Sequence, residues 1–182
     1  CTGLGFALLT ADAADRRGVV PAEFSPETEK VLSKICGACA GVNNPLAVSA
    51  DADPELFAQA LRACLADDNV DGIVVTLAPT AANATPRTAH LLAAAAQDSF
   101  KPVVICWAAP FAEDLMREAF KRCRLPSIDT PELAVLAFDN LARYERLKAR
   151  RLTPPSETVT AGRPELERAR GILRDAKRVD RH

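Results

Sequence analysis

The sequence predicts an α/β domain in which helices cover both faces of a parallel β-sheet. Two segments, residues 72–77 and 102–107, form continuous apolar runs rather than alternating ones. Such runs are typical of parallel strands that are buried on both faces. Apolar residues at helical spacing lie between the two runs and on either side of them. Because strands alternate with helices along the chain, we expect consecutive strands to be joined by helical crossovers.

The first half of the chain is predicted to contain three helices. Apolar residues at helical spacing predict the first over residues 4–16. A serine followed by a proline at 25–26 supplies a cap and a first-turn proline for the second. An aspartate followed by a proline opens the third, over residues 53–66. Residues 19–24 favour a short extended β segment, and residues 43–48 an extended loop, because a proline restricts the residue before it.

The second half is predicted to complete the sheet. Helices are expected over residues 85–97 and 111–122, and a last short strand at 127–128. A Thr-Pro-Glu cap begins a final helix that runs to about residue 150. We therefore predict a flavodoxin-like three-layer sandwich over residues 1–152. Residues 153–182 are expected to form a charged linker with one short helix.

Composition and charge exclude several classes of protein. The chain has 182 residues, of which 48% are hydrophobic, which excludes disorder of the whole chain. It carries 23 Lys and Arg against 24 Asp and Glu, so there is no basic field to bind nucleic acid. No apolar run approaches the ~20 residues of a membrane span, and no charged-then-apolar leader opens the chain. We expect a cytoplasmic location and neither nucleic acid nor membrane as a partner.

The residue types of common catalytic centres are scarce. His90 falls on a predicted helix surface and His182 in a charged tail, so a histidine triad or histidine metal site is not expected. Cys36 and Cys39 have CxxC spacing, but they follow a helix instead of opening one, and no second pair is present. We interpret the cysteines as reduced, with Cys106 in the core. The sequence predicts no catalytic side chain and no metal ligand.

Acidic residues cluster around the third helix, and their positions predict structural roles rather than a metal site. Asp53 is a plausible N-cap, and residues 67–69 read as a solvated turn.

The segment Thr2-Gly3-Leu4-Gly5 runs directly into the first helix. A glycine-rich turn at this position exposes backbone N–H groups at the positive end of the helix dipole, which suits a phosphate or another anion. The alternative is a tight strand-to-helix turn with no ligand. A Walker motif and a full GxGxxG are both missing from the sequence.

The order of several short segments resembles one family, the NDP-forming acyl-CoA synthetases, which are relatives of succinyl-CoA synthetase. Over residues 1–152 the chain is similar to their second flavodoxin-like, ligase-type domain. That domain follows the phosphohistidine domain and precedes the ATP-grasp module. The matching segments are Asn44-Pro45-Leu46, Asp51-Ala52-Asp53-Pro54-Glu55, residues 65–72, Pro79-Thr80-Ala81, Lys101-Pro102-Val103, Cys106-Trp107 and Asp129-Thr130-Pro131-Glu132.

The resemblance implies a ligase in which ATP phosphorylates a histidine, the phosphate activates a carboxylic acid, and CoA displaces it. It implies that Thr2, Gly3, Leu4 and Gly5 face the phosphohistidine of a neighbouring domain. Asn44 and Pro45 would form a loop that carries a family motif. ATP, Mg and CoA are implied for the parent protein, with none bound by this domain alone. The implied partners are CoA-binding, phosphohistidine and ATP-grasp domains, so we expect the isolated chain to be inactive.

Three departures from the family pattern are present, and the last two suggest an alternative function. The strand that usually precedes the glycine-rich loop is absent, so either the given sequence begins one element late or the sheet has lost its first strand. Ala47 stands where the family has Asp, and Ala108-Ala109-Pro110 replaces a Gly-Gly-like turn. Such divergence also fits a regulatory synthetase-like domain of a GNAT-type protein lysine acetyltransferase. A flavodoxin-like interaction domain without either function is the third possibility.

Overall fold

Helices and strands alternate along the chain in the computed structural model, which describes residues 1–36, 43–109, 114–152 and 166–172. The helices are α1 (Gly3–Asp15), α2 (Pro26–Cys36), α3 (Pro54–Leu65), α4 (Pro86–Ala96), α5 (Asp114–Arg122) and α6 (Pro131–Leu152), and the strands are β1 (Ile73–Leu77), β2 (Val103–Trp107) and β3 (Ser127–Ile128). Residues 166–172 are also helical. No helix in these ranges is both long enough and apolar enough to cross a membrane.

The chain divides into two compact units, Cys1–Tyr144 and Glu145–His182. The first contains the whole sheet. Within the second, Lys148 Nζ lies 3.6 Å from a carboxylate oxygen of Glu145.

The three strands form a parallel sheet in the order β1–β2–β3. Ile73 pairs with Val103, and the register continues to Leu77 opposite Trp107. All five residues of β2 are buried, as the continuous apolar run predicts for a central strand. β3 is short and pairs with β2 through Ser127 and Ile128.

Two further segments extend the sheet beyond β1. The Thr2 N–H donates to the Thr76 carbonyl at 2.8 Å, so residues 1–2 lie beside β1. The Val48 N–H donates to the Cys1 carbonyl at 2.8 Å, and Thr2 and Val48 form a parallel bridge. The spatial order is therefore 46–48, 1–2, β1, β2, β3. This is the flavodoxin-like order, and it confirms the predicted fold class.

Helices cover both faces of the sheet. On one face, Leu61 of α3, Leu92 of α4 and Phe120 of α5 belong to a single cluster of buried residues that includes Val75, Ile105 and Trp107. On the other face, Ala134 and Phe138 of α6 pack against Val104 and Cys106. α1 lies on this second face, because Thr10 Oγ1 is 3.1 Å from Thr76 Oγ1. The molecule thus has the three predicted layers.

Two expectations from the sequence are wrong. Residues 19–24 form no strand, because side-chain amides hold their backbone carbonyls: Asn44 Nδ2 donates to Ala22 at 2.9 Å and Asn69 Nδ2 to Glu23 at 3.1 Å. Asp67 is buried instead of solvated. Its carboxylate accepts the N–H groups of Ser25 and Asn69 at 2.8 and 3.0 Å, and so joins the start of α2 to the turn after α3.

Candidate functional site

The candidate site lies at the topological switch point of the sheet, where two neighbouring strands are followed by helices on opposite faces. Residues 1–2 lead into α1 on one face, whereas the next strand in space, β1, leads into α4 on the other face. In open α/β sheets, ligands bind in the crevice at the carboxyl ends of the strands at such a reversal. The topology therefore places the starts of α1 and α4 at the carboxyl edge of the sheet, on its two faces, and the place between them is called the crevice below.

The first four residues do not contribute equally to this crevice. The Thr2 N–H bonds to Thr76 and the Gly3 N–H donates to the Val48 carbonyl at 2.7 Å, so both amides belong to the sheet. The N–H groups of Leu4 and Gly5 lie in the first turn of α1, where a helix provides no acceptor. Gly5 also faces open space, because a Cβ atom there would meet nothing within 4 Å. An anion would therefore meet Leu4 and Gly5 rather than all four residues.

Thr2 adds a further polar atom to the start of α1. Its hydroxyl oxygen is buried and has no hydrogen-bond partner among the residues that the structure describes. Thr2 occupies the N-cap position of α1 without making a side-chain cap. No side chain at the N-cap therefore accepts a hydrogen bond from the free N–H groups of the first turn of α1.

The loop between β1 and α4 is held together by hydrogen bonds, and its central residue is Asn83. This side chain is fully buried. Its Oδ1 accepts the Thr80 N–H at 2.8 Å and its Nδ2 donates to the Ala78 carbonyl at 2.9 Å. Thr88 Oγ1 of α4 donates to the Asn83 carbonyl at 2.6 Å, which ties the loop to the helix that follows. Sequence reasoning missed Asn83, although its position beside the Pro-Thr turn after a buried strand was an available signal.

The two helix ends at the crevice differ in charge from three other helix starts. Neither α1 nor α4 has an acidic residue in its first turn, and neither has a side-chain cap. α2, α3 and α6 each begin with at least one glutamate in the first turn. The positive dipole ends of α1 and α4 are therefore not neutralised by their own side chains.

Asn44 and Pro45 lie away from this crevice. They precede Val48, which pairs with Thr2, by three to four residues on the amino-terminal side. Asn44 donates to the Ala22 carbonyl, so its observed role is to hold residues 19–24.

Three of the described cysteines have raised pKa values, and His90 lies on the surface. Burial raises the pKa of Cys64 to about 11 and that of Cys106 to about 12, so both remain thiols at neutral pH. Burial also raises the pKa of Cys36, and Cys39 lies outside the described residues. His90 is exposed on α4, with Nδ1 2.8 Å from the Pro86 carbonyl oxygen, as predicted for a surface histidine.

Known proteins show similarity over most of this chain. It is 29% identical over 163 residues to ADP-forming acetate-CoA ligase I of Archaeoglobus fulgidus, which covers 90% of this chain and 23% of the ligase. It is 29% identical over 133 residues to the alpha subunit of ADP-forming acetate-CoA ligase II of Pyrococcus furiosus, covering 70% of this chain and 29% of the subunit. The chain is related to the NDP-forming acyl-CoA synthetases. No family model matches the sequence.

Solved structures share the fold of this chain. A protein of Pyrococcus horikoshii OT3 superposes with a TM-score of 0.66 at 27% identity, over 72% of this chain and 31% of the other. The dinucleotide-forming acetyl-coenzyme A synthetase 1 of Ca. Korarchaeum cryptofilum superposes with a TM-score of 0.70 at 23% identity, over 84% of this chain and 34% of the other, which shows the shared fold. The chain thus spans roughly a quarter of the length of the curated proteins that it matches.

Proposed function

We propose that this chain is a non-autonomous domain of a nucleotide-dependent acyl-CoA synthetase. In this proposal, the start of α1 faces a phosphorylated histidine that a neighbouring domain carries. The observation that supports it most is the pair of helix N-termini, free of acidic residues, on either side of the crevice at the carboxyl edge. The similarity to ADP-forming acetate-CoA ligases supports the choice of reaction.

The proposed reaction has three steps. The histidine takes the terminal phosphoryl group of ATP, and ADP leaves. The phosphoryl group then passes to a carboxylic acid to form an acyl phosphate, and the CoA thiol displaces phosphate to give acyl-CoA. This chain would supply the N–H groups of Leu4 and Gly5 and the dipole of α1 toward the negative phosphoryl group. A helix end contributes about 0.3–1 kcal/mol toward such a charge, and up to ~2 kcal/mol when partly buried.

The remaining components would come from other domains. We propose that ATP, Mg and CoA bind the ATP-grasp and CoA-binding domains, in the same protein or in a partner subunit. Residues 1–152 would form the domain proper, with 153–182 as the linker toward the ATP-grasp module. Because the proposal assigns no nucleophile and no base to this chain, we expect it to be inactive alone.

A chimera tests this function. The matching segment of the Archaeoglobus fulgidus ligase is replaced by this chain, and the product is incubated with labelled ATP and Mg. We expect an acid-labile, base-stable phosphoprotein that acetate and CoA discharge. Gly5→Glu places a carboxylate at the helix start and should lower phosphorylation by about tenfold, which corresponds to ~1.4 kcal/mol. Gln59→Glu adds the same charge on the exposed side of α3 and is the matched control.

The opposite result would support a silent domain. A chimera that folds with one melting transition but takes up no phosphate would contradict the ligase function. That result would favour the alternative, a regulatory synthetase-like domain of a lysine acetyltransferase. The next assay would then measure the lysine acetyltransferase activity of a fused transferase. Equal loss in both glutamate variants would remove the helix start from the site.

A further inference from the structure

An open groove of about 450 Å³ lies between the second half of α4 and the turn that follows α5. Its apolar lining includes Ala93 and Ala94 of α4 and Leu125 of the turn. The ends of α4 and α5 lead into the amino ends of the parallel strands β2 and β3. The groove therefore lies at the amino edge of the sheet, whereas the crevice lies at the carboxyl edge.

Phe100 has the highest exposure of the large apolar side chains that the structure describes. Its exposed fraction is 108%, so the described part of the chain does not cover its ring. Gln97 lines the groove and precedes Phe100 by three residues, so ring and groove are neighbours on the same edge of the sheet. An exposed aromatic ring and an apolar pocket are the two components of an anchored protein contact.

Hydrogen bonds hold the turn that carries Phe100. The Ser99 N–H donates to the Ala96 carbonyl at 3.1 Å, and the Lys101 N–H donates to Ser99 Oγ at 3.2 Å. Lys101 Nζ also donates to the Asp67 carbonyl at 2.5 Å, which ties the turn to the end of α3. Because its backbone is already held, Phe100 would lose little conformational freedom when it binds a partner.

Arg124 lines the groove in a backbone conformation that favours glycine. Its φ angle is +58°. The Leu125 N–H donates to the Phe120 carbonyl at 2.9 Å and the Arg124 N–H to the Lys121 carbonyl at 3.0 Å, which is the Schellman motif at the end of α5. Glycine is the usual residue at this position, because a Cβ atom is strained there. An arginine in its place indicates that the side chain serves a contact rather than the fold.

The charges beside the ring and beside the groove are opposite. Asp98 is exposed two residues before Phe100, and the Arg124 side chain is exposed at the groove. Among the described residues, neither side chain has an ion-pair partner. A surface that carries both an anchor with a negative neighbour and a groove with a positive one is complementary to itself.

We propose that this chain forms a two-fold symmetric dimer in which Phe100 of each copy inserts into the groove of the other. The groove is large enough, because an apolar cavity of about 150 Å³ already holds a benzene ring. Asp98 of each copy would then lie beside Arg124 of the other, and the two ion pairs would fix the orientation. The inference does not depend on the proposed function, because the groove and the crevice lie at opposite edges of the sheet.

The dimer should be weak and reversible. Each phenylalanine ring buries about 150–250 Å², so two rings and the groove walls around them bury roughly 800 Å² in total. Stable interfaces bury about 1,200–2,000 Å², and transient ones less. We therefore expect a dissociation constant in the micromolar range or weaker.

Sedimentation equilibrium of the chain, from micromolar to millimolar concentration, tests the dimer. We expect a monomer–dimer equilibrium, and we expect Phe100→Ala to raise its dissociation constant by about 30-fold or more, because both anchors are lost. Leu8→Ala is the matched control. It removes another exposed apolar side chain, from α1 on the other face of the sheet, and should leave the dissociation constant unchanged.

Two charge variants test the contact between copies. Asp98→Arg and Arg124→Asp each bring like charges together in the dimer, so each alone should weaken it by about tenfold or more. In an equimolar mixture of the two variants, opposite charges meet at both contacts of a heterodimer. The mixture should therefore dimerise about as well as the unchanged chain.

Arg124→Gly separates the contact from the fold. Glycine relieves the backbone strain at this position, so the Tm of the monomer should not fall. The dissociation constant of the dimer should nevertheless rise, because the ion pairs are lost.

Three results would overturn the proposal. The first is a single species of monomer mass up to millimolar concentration, which would leave another domain or protein as the occupant of the groove. The second is a dimer whose dissociation constant is the same in Phe100→Ala, which would place the interface on another surface. The third is a mixture of the two charge variants that dimerises no better than either variant alone.

Discussion

At the residue scale, Gly3 and Gly5 look alike in the sequence but differ in the structure. Gly3 has a φ angle of +69°, in the left-handed region. Gly5 lies in the first turn of α1, and a Cβ atom added to it would meet no atom within 4 Å. We expect Gly3→Ala to lower the free energy of unfolding by about 1 kcal/mol, because a Cβ atom is strained there. Gly5→Ala should be neutral or stabilise by up to ~0.5 kcal/mol. Urea denaturation checks both values, and equal shifts would contradict the assigned backbone angles.

A second residue-scale prediction concerns Asp67. Burial by itself would raise the pKa of its carboxyl, but hydrogen bonds from the Ser25 and Asn69 backbones lower it overall. Asp67→Asn removes one acceptor and turns an amide toward an N–H, so we expect a loss of about 1–3 kcal/mol in unfolding free energy. The control is Asp68→Asn, a substitution of the exposed neighbouring residue. It should change the free energy of unfolding by less than about 0.5 kcal/mol.

The pH dependence of that loss has a definite sign. A carboxyl with a depressed pKa stabilises the fold above its ordinary pKa of 3.8, and the contribution disappears as the pH falls through the folded value. The difference between the protein and Asp67→Asn should therefore shrink on acidification. A difference that stays constant down to pH 2 would show that the carboxylate charge is irrelevant.

At the scale of elements, the contact between β1 and α6 depends on Gly72. A Cβ atom at this position would lie 2.6 Å from Phe138 Cε2 and 2.8 Å from Pro102 Cγ. We therefore expect Gly72→Ala to lower the free energy of unfolding by about 1–3 kcal/mol through overpacking. Thermal unfolding of Gly72→Ala, Phe138→Leu and the double variant measures the coupling. Strict additivity of the two changes would contradict a direct clash between them.

The elements also show where sequence patterns suffice. The two continuous apolar runs became β1 and β2 to within a residue, since burial on both faces leaves no alternating polar positions. Caps and first-turn prolines placed the starts of α2, α3 and α6 correctly. The β segment predicted at residues 19–24 is wrong. Two of its backbone carbonyls accept hydrogen bonds from the side chains of Asn44 and Asn69, which lie far away in the sequence, instead of from a neighbouring strand.

At the scale of the whole molecule, we expect the stability of a polypeptide that begins at Cys1 to depend on the pH through the amino group of that residue. Burial lowers the pKa of this amine from 8.0 to about 6. Between these values the unfolded chain binds more protons than the folded one, so the free energy of unfolding rises with pH over this window. The rise should be about 2 kcal/mol between pH 6 and 8. Urea unfolding across this range measures it, and the N-acetylated chain should show a flat profile.

An unchanged slope after acetylation would contradict this assignment. Another titrating group would then have to account for the dependence.

The sequence by itself determined the elements, the layers and the family likeness, because burial periodicity, caps and short motifs are local properties of the chain. It also placed a glycine-rich turn at the start of the first helix. Tertiary structure alone decided that the amides of Thr2 and Gly3 belong to the sheet, and that Asn44 and Pro45 lie apart from the crevice. The physical reason is that these features depend on contacts between segments that are distant along the chain, since Thr2 pairs with Val48 and Thr76 and Asn44 bonds to Ala22, and no local pattern encodes such contacts.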